Sequence, residues 1–202
     1  MTEAPPPARP DPARTVTGAD RIITLLRQDP TRWQALRLVA ALDLPQGCIG
    51  AGFLRNLVWD HLHGRPSDCR DADIDVLFHA PDNADPAYDA GIAAKLRARA
   101  PDLRWSVRNQ ARMHLRNGDA PYPSVEDAMR FWPETATAVA ARRSGDACAL
   151  IAPFGLADLY GLILHPTSVA PRKRAVFHAR IEAKGWRARW PRVRVVDAHA
   201  PE

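Results

Sequence analysis

Residues 50–64, GAGFLRNLVWDHLHG, and residues 71–80, DADIDVLFHA, decide how this chain folds. The first stretch reads as a glycine turn, Gly50–Ala51–Gly52, opening an amphipathic helix that Gly64 stops. The second alternates polar with apolar residues and reads as a half-buried strand. Residues two apart on a strand share a face, so Asp73 and Asp75 point one way while Ile74, Val76 and Phe78 point the other. Two carboxylates about 6 Å apart, at an effective dielectric near 20, repel by roughly 3 kcal/mol. A divalent cation would offset that repulsion, and hard oxygen donors without a neighbouring thiolate favour Mg2+ or Mn2+ over zinc. The competing reading leaves both carboxylates on the solvated face of an edge strand, in an acidic row that Asp71 extends. Gly50 and Gly52 taken alone fit an ordinary strand-to-helix turn. Placed upstream of a carboxylate strand, the same turn presents free N–H groups and a positive helix end to a phosphate.

Outward from this centre, residues 19–28 and 31–43 repeat apolar side chains at helical spacing, with Thr31 as the expected cap of the second helix. Residues 47–52 form a short strand running into the turn. Downstream come a helix at 86–100, a strand at 103–108, and a helix capped by Ser124. Neighbouring strands at 135–142 and 147–153 follow, then a final core helix at 155–164. Strands interleaved with helices place the chain in the α/β (α+β) class. With 202 residues, 46% of them hydrophobic, it suits a single domain over residues 18–196, preceded by a disordered proline-rich tail at 1–17. No apolar run reaches membrane-spanning length and no leader is readable, so a soluble, cytoplasmic protein without membrane partners is expected. Cys48, Cys69 and Cys148 are odd in number and scattered, which argues against a disulfide framework or a thiolate zinc site.

Lysine and arginine total 28 against 23 acidic residues, a net charge of +5 that favours phosphates or nucleic acid as partners. An arginine-rich, lysine-poor composition also follows from a GC-rich genome. The charge concentrates in residues 169–196, where Arg172, Lys173, Arg174, Arg180, Lys184 and Arg187 stand near Trp186 and Trp190. Such a segment either grips a nucleic-acid backbone and stacks a base, or is a solvated basic face whose tryptophans dock on the core. His61 and His63 match no helical metal motif and read as helix-end residues, whereas His114 follows a strand, where it is either a structural histidine or a nucleotide contact. Walker A, G-x-S-x-G and dinucleotide fingerprints are absent from the sequence, which weighs against P-loop, hydrolase and Rossmann functions.

AGFLRN followed by DIDV resembles the G-G-x-x-R-D and D-x-D arrangement of the polymerase-β-like nucleotidyltransferase superfamily, closest in pattern to tRNA-nucleotidyltransferase-type enzymes. The set AGFLRNLVWDHLHG, DIDVLF, NQARMH, PYPSVEDAMRFWPETATAV and APFGLADLY is similar to a bacterial nucleotidyltransferase-like family, over about residues 45–194. The resemblance implies a small mixed sheet flanked by helices. It also implies a phosphate-facing turn and helix carrying Gly50, Gly52, Arg55 and Asn56, with Asp73 and Asp75 as ligands of Mg2+ or Mn2+. The chain departs from the pattern at Ala51, which replaces the first glycine, and at Asn56, which replaces an aspartate. A third carboxylate is not evident; Glu134 is the first candidate for assisting deprotonation of the acceptor, and Asp158 the second, each with a structural alternative. The expected function is metal-dependent nucleotidyl transfer from an NTP to an unidentified acceptor hydroxyl, on nucleic acid or a small molecule. Its rival is a non-catalytic nucleotide- or polyanion-binding module that retains the fold.

Overall fold

A computed structural model describes residues 17–197, and the expectation of a disordered tail at residues 1–17 lies outside that range except at Thr17, which caps the first helix. Helix α1 (Gly18–Gln28) opens with a capping box: the Thr17 hydroxyl accepts from the Asp20 N–H, and the Asp20 carboxylate accepts from the Thr17 N–H. Helix α2 (Pro30–Ala40) is capped by Asp29 and not by Thr31. Asp29 accepts from the Arg32 N–H, and Pro30 takes the first turn, where its missing N–H leaves no helical bond unmade.

Strand β1 (Cys48–Gly50) runs into α3 (Gly52–Leu62); β2 (Ile74–Phe78), α4 (Pro86–Arg99) and β3 (Trp105–Asn109) follow. The short helices α5 (Met113–Asn117) and α6 (Val125–Met129) lead to β4 (Ala140–Ser144) and β5 (Ala147–Ile151), and Ser124 caps α6 as expected. The five strands form a mixed sheet in the order β3-β2-β1-β4-β5, parallel between β2 and β3 and antiparallel elsewhere.

The last third of the chain departs from expectation in three places. Residues 135–137 form a 3-10 turn and not the start of a strand, because Glu134 bridges to Pro166 and the Thr137 hydroxyl accepts from Arg55. The expected helix at 155–164 is only α7 (Ala157–Gly161). Leu162 turns left-handed at φ 56°, which releases β6 (Ile163–Leu164) to pair in parallel with β7 (Arg194–Val195). Nor is α7 the final helix, since the basic segment folds into α8 (Pro171–Lys184) and α9 (Trp186–Arg189).

The main core lies on the sheet face carrying Ile49, Ile74, Val76 and Phe78, covered by Leu36 of α2, Leu54, Leu57 and Val58 of α3 and Leu96 of α4. Each such side chain removed from water contributes about 1.5–3 kcal/mol. Trp186 and Trp190, 3% and 1% exposed, complete this core against Trp59, with ring centroids 6.2 and 5.2 Å from it. The tryptophans of the basic segment therefore dock on the core. The opposite sheet face has a smaller apolar patch of Cys48, Leu77, Val125, Met129, Ala138 and Ala140, which α6 covers. Beyond that patch the face carries Asp75. Among the described residues no helix is long and apolar enough to cross a membrane.

Candidate active site

Antiparallel pairing sets Gly50, the last residue of β1, directly opposite Asp75. The registers continue the row as Ser106, Asp75, Gly50 and Ala140, so one carboxylate stands on a floor of small residues across four strands. A Cβ on Gly50 would meet Leu77 Cδ1 at 2.9 Å and the Val139 carbonyl oxygen at 3.2 Å, so the floor stays flat only with glycine there. Because α3 starts where β1 ends, its N-terminus lies at the same end of the sheet as the start of β2. The segment from Glu134 to Val139, leading into β4, arrives there too.

Ala51 makes the turn at φ 56° and ψ −126°, a conformation that L-residues avoid. It is fastened by the Ala51 N–H donating to the Val139 carbonyl at 2.9 Å, while no side chain caps the first turn of α3. The first backbone N–H groups of the helix thus point from Gly52 and Phe53 with the positive end of the helix dipole. The strained alanine stands where the related pattern has glycine. Ala51→Gly should therefore keep or raise stability by up to about 1 kcal/mol, against the usual loss of 0.5–1 kcal/mol for this exchange, since strain of about 1–3 kcal/mol is relieved. The urea midpoint checks it; a fall equivalent to more than about 1 kcal/mol would show the turn to be unstrained.

Asp75 is half-buried and Asp73 is exposed, just ahead of β2, with its Oδ1 3.6 Å from Arg104 Nε. The Asp75 carboxyl is pushed above the usual aspartate range, first by desolvation; the Ser106 hydroxyl opposes the shift and Asp73 adds to it. Arg180 and Arg55 oppose the shift of this carboxylate from further off. With Asp73 beside it, the donor set is all hard oxygen and fits Mg2+ or Mn2+. Among the described residues no group of three or more His, Cys, Asp or Glu side chains is arranged to hold a metal ion.

Arg55 and Asn56 sit beneath the turn. Arg55 is 5% exposed; its Nη1 donates to the Thr137 hydroxyl and its Nη2 to Asn56 Oδ1, both at 2.8 Å. Its guanidinium lies 4.3 Å from the centroid of the Trp186 ring and 5.3 Å from that of Trp59. A Cβ on Gly52 would touch Arg55 Nη2 at 3.4 Å and Asn56 Nδ2 at 3.5 Å, so the two side chains shore the turn from below. Burial lowers the Arg55 pKa to about 10, with Glu134 acting against the fall.

Glu134 is fully buried. Its Oε1 lies 2.9 Å from Arg180 Nε, and neither carboxylate oxygen receives a hydrogen bond of good geometry. Desolvation raises its pKa, while Arg180 and then Arg55 hold it down. The placement suits an anchor for cations better than a base reaching a bound acceptor. Asp158 pairs with His165 Nδ1 at 3.0 Å and accepts from the Thr135 hydroxyl at 2.6 Å, so it braces the loop carrying Glu134 and not an arginine. His61 lies in the last turn of α3, and His63 caps it with Nδ1 2.7 Å from the Trp59 carbonyl. His114 packs edge-on against Tyr122 with its Nδ1 buried. The cation facing Glu134, Arg180 of α8, stands out in the sequence only as part of a basic run.

The profile of a family described as nucleotidyltransferase matches residues 37–195 of the chain. A solved structure described as revealing a CCA-adding enzyme head domain superimposes with a TM-score of 0.79 at 28% identity, covering 88% of this chain and 95% of that one. The CCA-adding enzyme of Thermotoga maritima in complex with tRNA matches at a TM-score of 0.57 and 16% identity, covering 89% of this chain and 42% of that one. A CCA-adding enzyme in complex with ATP gives 0.57 and 17%, covering 86% and 42%. The chain thus spans less than half the length of these two enzymes, whose likeness at such identity is one of fold. Among proteins of curated function, none matches its sequence. The turn before α3, the carboxylate of β2 facing it and a profile match across most of the chain agree: this protein belongs to the nucleotidyltransferase family.

Proposed function

We propose that the protein transfers a nucleotidyl group from an NTP to an acceptor hydroxyl in a reaction dependent on Mg2+ or Mn2+. The observation that carries this reading is the register pair Gly50–Asp75, which sets a half-buried carboxylate at the end of the sheet where α3 begins. Asp73 and Asp75 would hold the metal. When bound, a divalent cation neutralises the triphosphate and lowers the pKa of the attacking hydroxyl. The Gly52 and Phe53 N–H groups receive phosphate oxygens at the positive end of α3, which fixes the α-phosphorus relative to the acceptor. Arg55 and Asn56 support that turn from within. The acceptor is a nucleic acid 3′ end or a small molecule. The solved relatives bound to ATP, to CTP and to tRNA favour the first, but they do so as proteins more than twice as long.

One observation favours the rival, a nucleotide-binding module without catalysis: Glu134 is engaged in an ion pair, and no other described acid completes a cluster of three with Asp73 and Asp75. Calorimetry and label transfer separate the two readings. NTP is expected to bind at least 10-fold more tightly with Mg2+ than with EDTA, because the carboxylates repel the triphosphate unless a cation lies between them. Equal affinity in both buffers would remove the carboxylate site. Binding with no transfer of α-32P label to any hydroxyl in a cell extract would support the module.

A further inference from the structure

We infer that Arg180 of α8 is a phosphate-contacting residue of the nucleotide site, held in place by the buried carboxylate of Glu134 and the ring of Trp186. The inference rests on the nucleotidyltransferase reading above and adds to it a residue from the far end of the chain. Two guanidiniums border the Trp186 ring, that of Arg55 beneath the turn and that of Arg180 from α8. They differ in what they have left to give. Arg55 is enclosed, with both Nη atoms donating to Thr137 and Asn56. The Arg180 side chain is 35% exposed, and only its Nε faces a protein carboxylate; its two Nη groups, four N–H donors, make no hydrogen bond among the described residues.

The support beneath Arg180 is as specific as its exposure. Glu134 has 0% exposure, lacks a hydrogen-bond donor of good geometry, and sits on the segment that enters β4 beside the turn. A carboxylate so placed is costly unless a cation stays against it. It therefore fixes the Nε edge of the guanidinium and turns the Nη edge outward. Trp186, 5.6 Å from the Arg180 guanidinium and 4.3 Å from that of Arg55, borders both. A planar fork with its inner edge anchored and its outer edge open is the geometry that recognises a phosphate through two parallel hydrogen bonds. An NTP brings more negative charge than one divalent cation and a helix N-terminus neutralise, and Arg180 supplies the missing positive charge.

Calorimetry with Mg2+ and a nonhydrolysable NTP analogue, together with steady-state kinetics, tests the proposal. Charge-assisted hydrogen bonds of this kind make Arg180→Ala bind the analogue about 10- to 100-fold more weakly, and Arg180→Lys, which keeps the charge but not the fork, recovers part of the loss. KM for NTP rises while KM for the acceptor does not. Because Arg180→Ala strands the Glu134 charge, the double variant Arg180→Ala with Glu134→Gln carries the test if the single variant does not fold. Affinity within 2-fold of the parent in a folded variant, or a rise confined to the acceptor KM, overturns the proposal and leaves the nucleotidyltransferase reading standing. A parent that binds no analogue at all overturns both.

Discussion

Replacing Asp75 with asparagine is expected to lower nucleotidyl transfer by about 10³-fold or more at saturating NTP and Mg2+, with the fold intact. Among the described residues Asp75 is the acidic side chain that the register sets directly opposite Gly50, and with Asp73 it supplies hard oxygen donors for a cation. A metal ion contributes several kcal/mol of charge stabilisation in the transition state, and about 4 kcal/mol corresponds to 10³-fold in rate. Stability moves the opposite way, and its sign is fixed by linkage. The folded-state pKa of Asp75 lies above the ordinary aspartate value of about 3.9, so the native state binds the proton more tightly than the unfolded chain. Its contribution to stability therefore falls as pH rises through about 3.9 and on through the folded value. Asparagine has no such loss. In metal-free buffer Asp75→Asn should match the parent near pH 3 and melt a few degrees above it at pH 7. Transfer within 10-fold of the parent would end the metal-ligand role. A variant that unfolds at pH 7 would show the aspartate to be structural.

Asp73→Asn should act more weakly in both respects. Asp73 is exposed, lies ahead of the strand and has Arg104 3.6 Å away, so the repulsion of roughly 3 kcal/mol expected for two strand carboxylates is screened by water on one side.

The centre of the fold was legible because its signals are local. Alternation from Ile74 to Phe78 and the glycines at 50 and 52 specify their own elements, and antiparallel pairing then brings the two together. The failures are equally physical. The stop at Leu162 is carried by a left-handed leucine, a conformation that costs about 1–2 kcal/mol and has no sequence signature; pairing of β6 with β7 holds it there. The 3-10 turn at 135–137 exists because Arg55, far away in sequence, takes the Thr137 hydroxyl. The ion pair of Glu134 was equally illegible, because an acid before a strand gives no hint of the cation that will stand against it. Arg180 was invisible as a site residue for the matching reason. In a run of basic residues only packing distinguishes the one that faces a buried carboxylate from those that face water.

That packing can be unfastened at one point, and Asp60→Ala is expected to cost about 3 kcal/mol and to lower Tm by about 6–12 °C for a chain of this size. Asp60, near the C-terminal end of α3, is 2% exposed; its Oδ1 accepts from the Trp190 indole N–H at 2.7 Å and its Oδ2 from the Ser67 hydroxyl at 2.8 Å. Arg189, 3.6 Å away and partly exposed, adds little. Alanine leaves the buried indole N–H without its acceptor, at about 1–3 kcal/mol, and strands the half-buried Ser67 hydroxyl at a smaller cost. Asp60→Asn keeps an acceptor for the indole and should lose less than half as much. Because Trp186 opens α9 and Trp190 closes it, loosening that clasp also withdraws the ring bordering Arg55 and Arg180. Tryptophan emission should therefore shift to the red, and NTP affinity should fall, at temperatures below the melting transition. A variant with parental Tm and emission would mean that α8 and α9 hold by their apolar contacts alone. Lost stability with unchanged NTP affinity would separate the clasp from the site and leave the C-terminal helices a purely structural part.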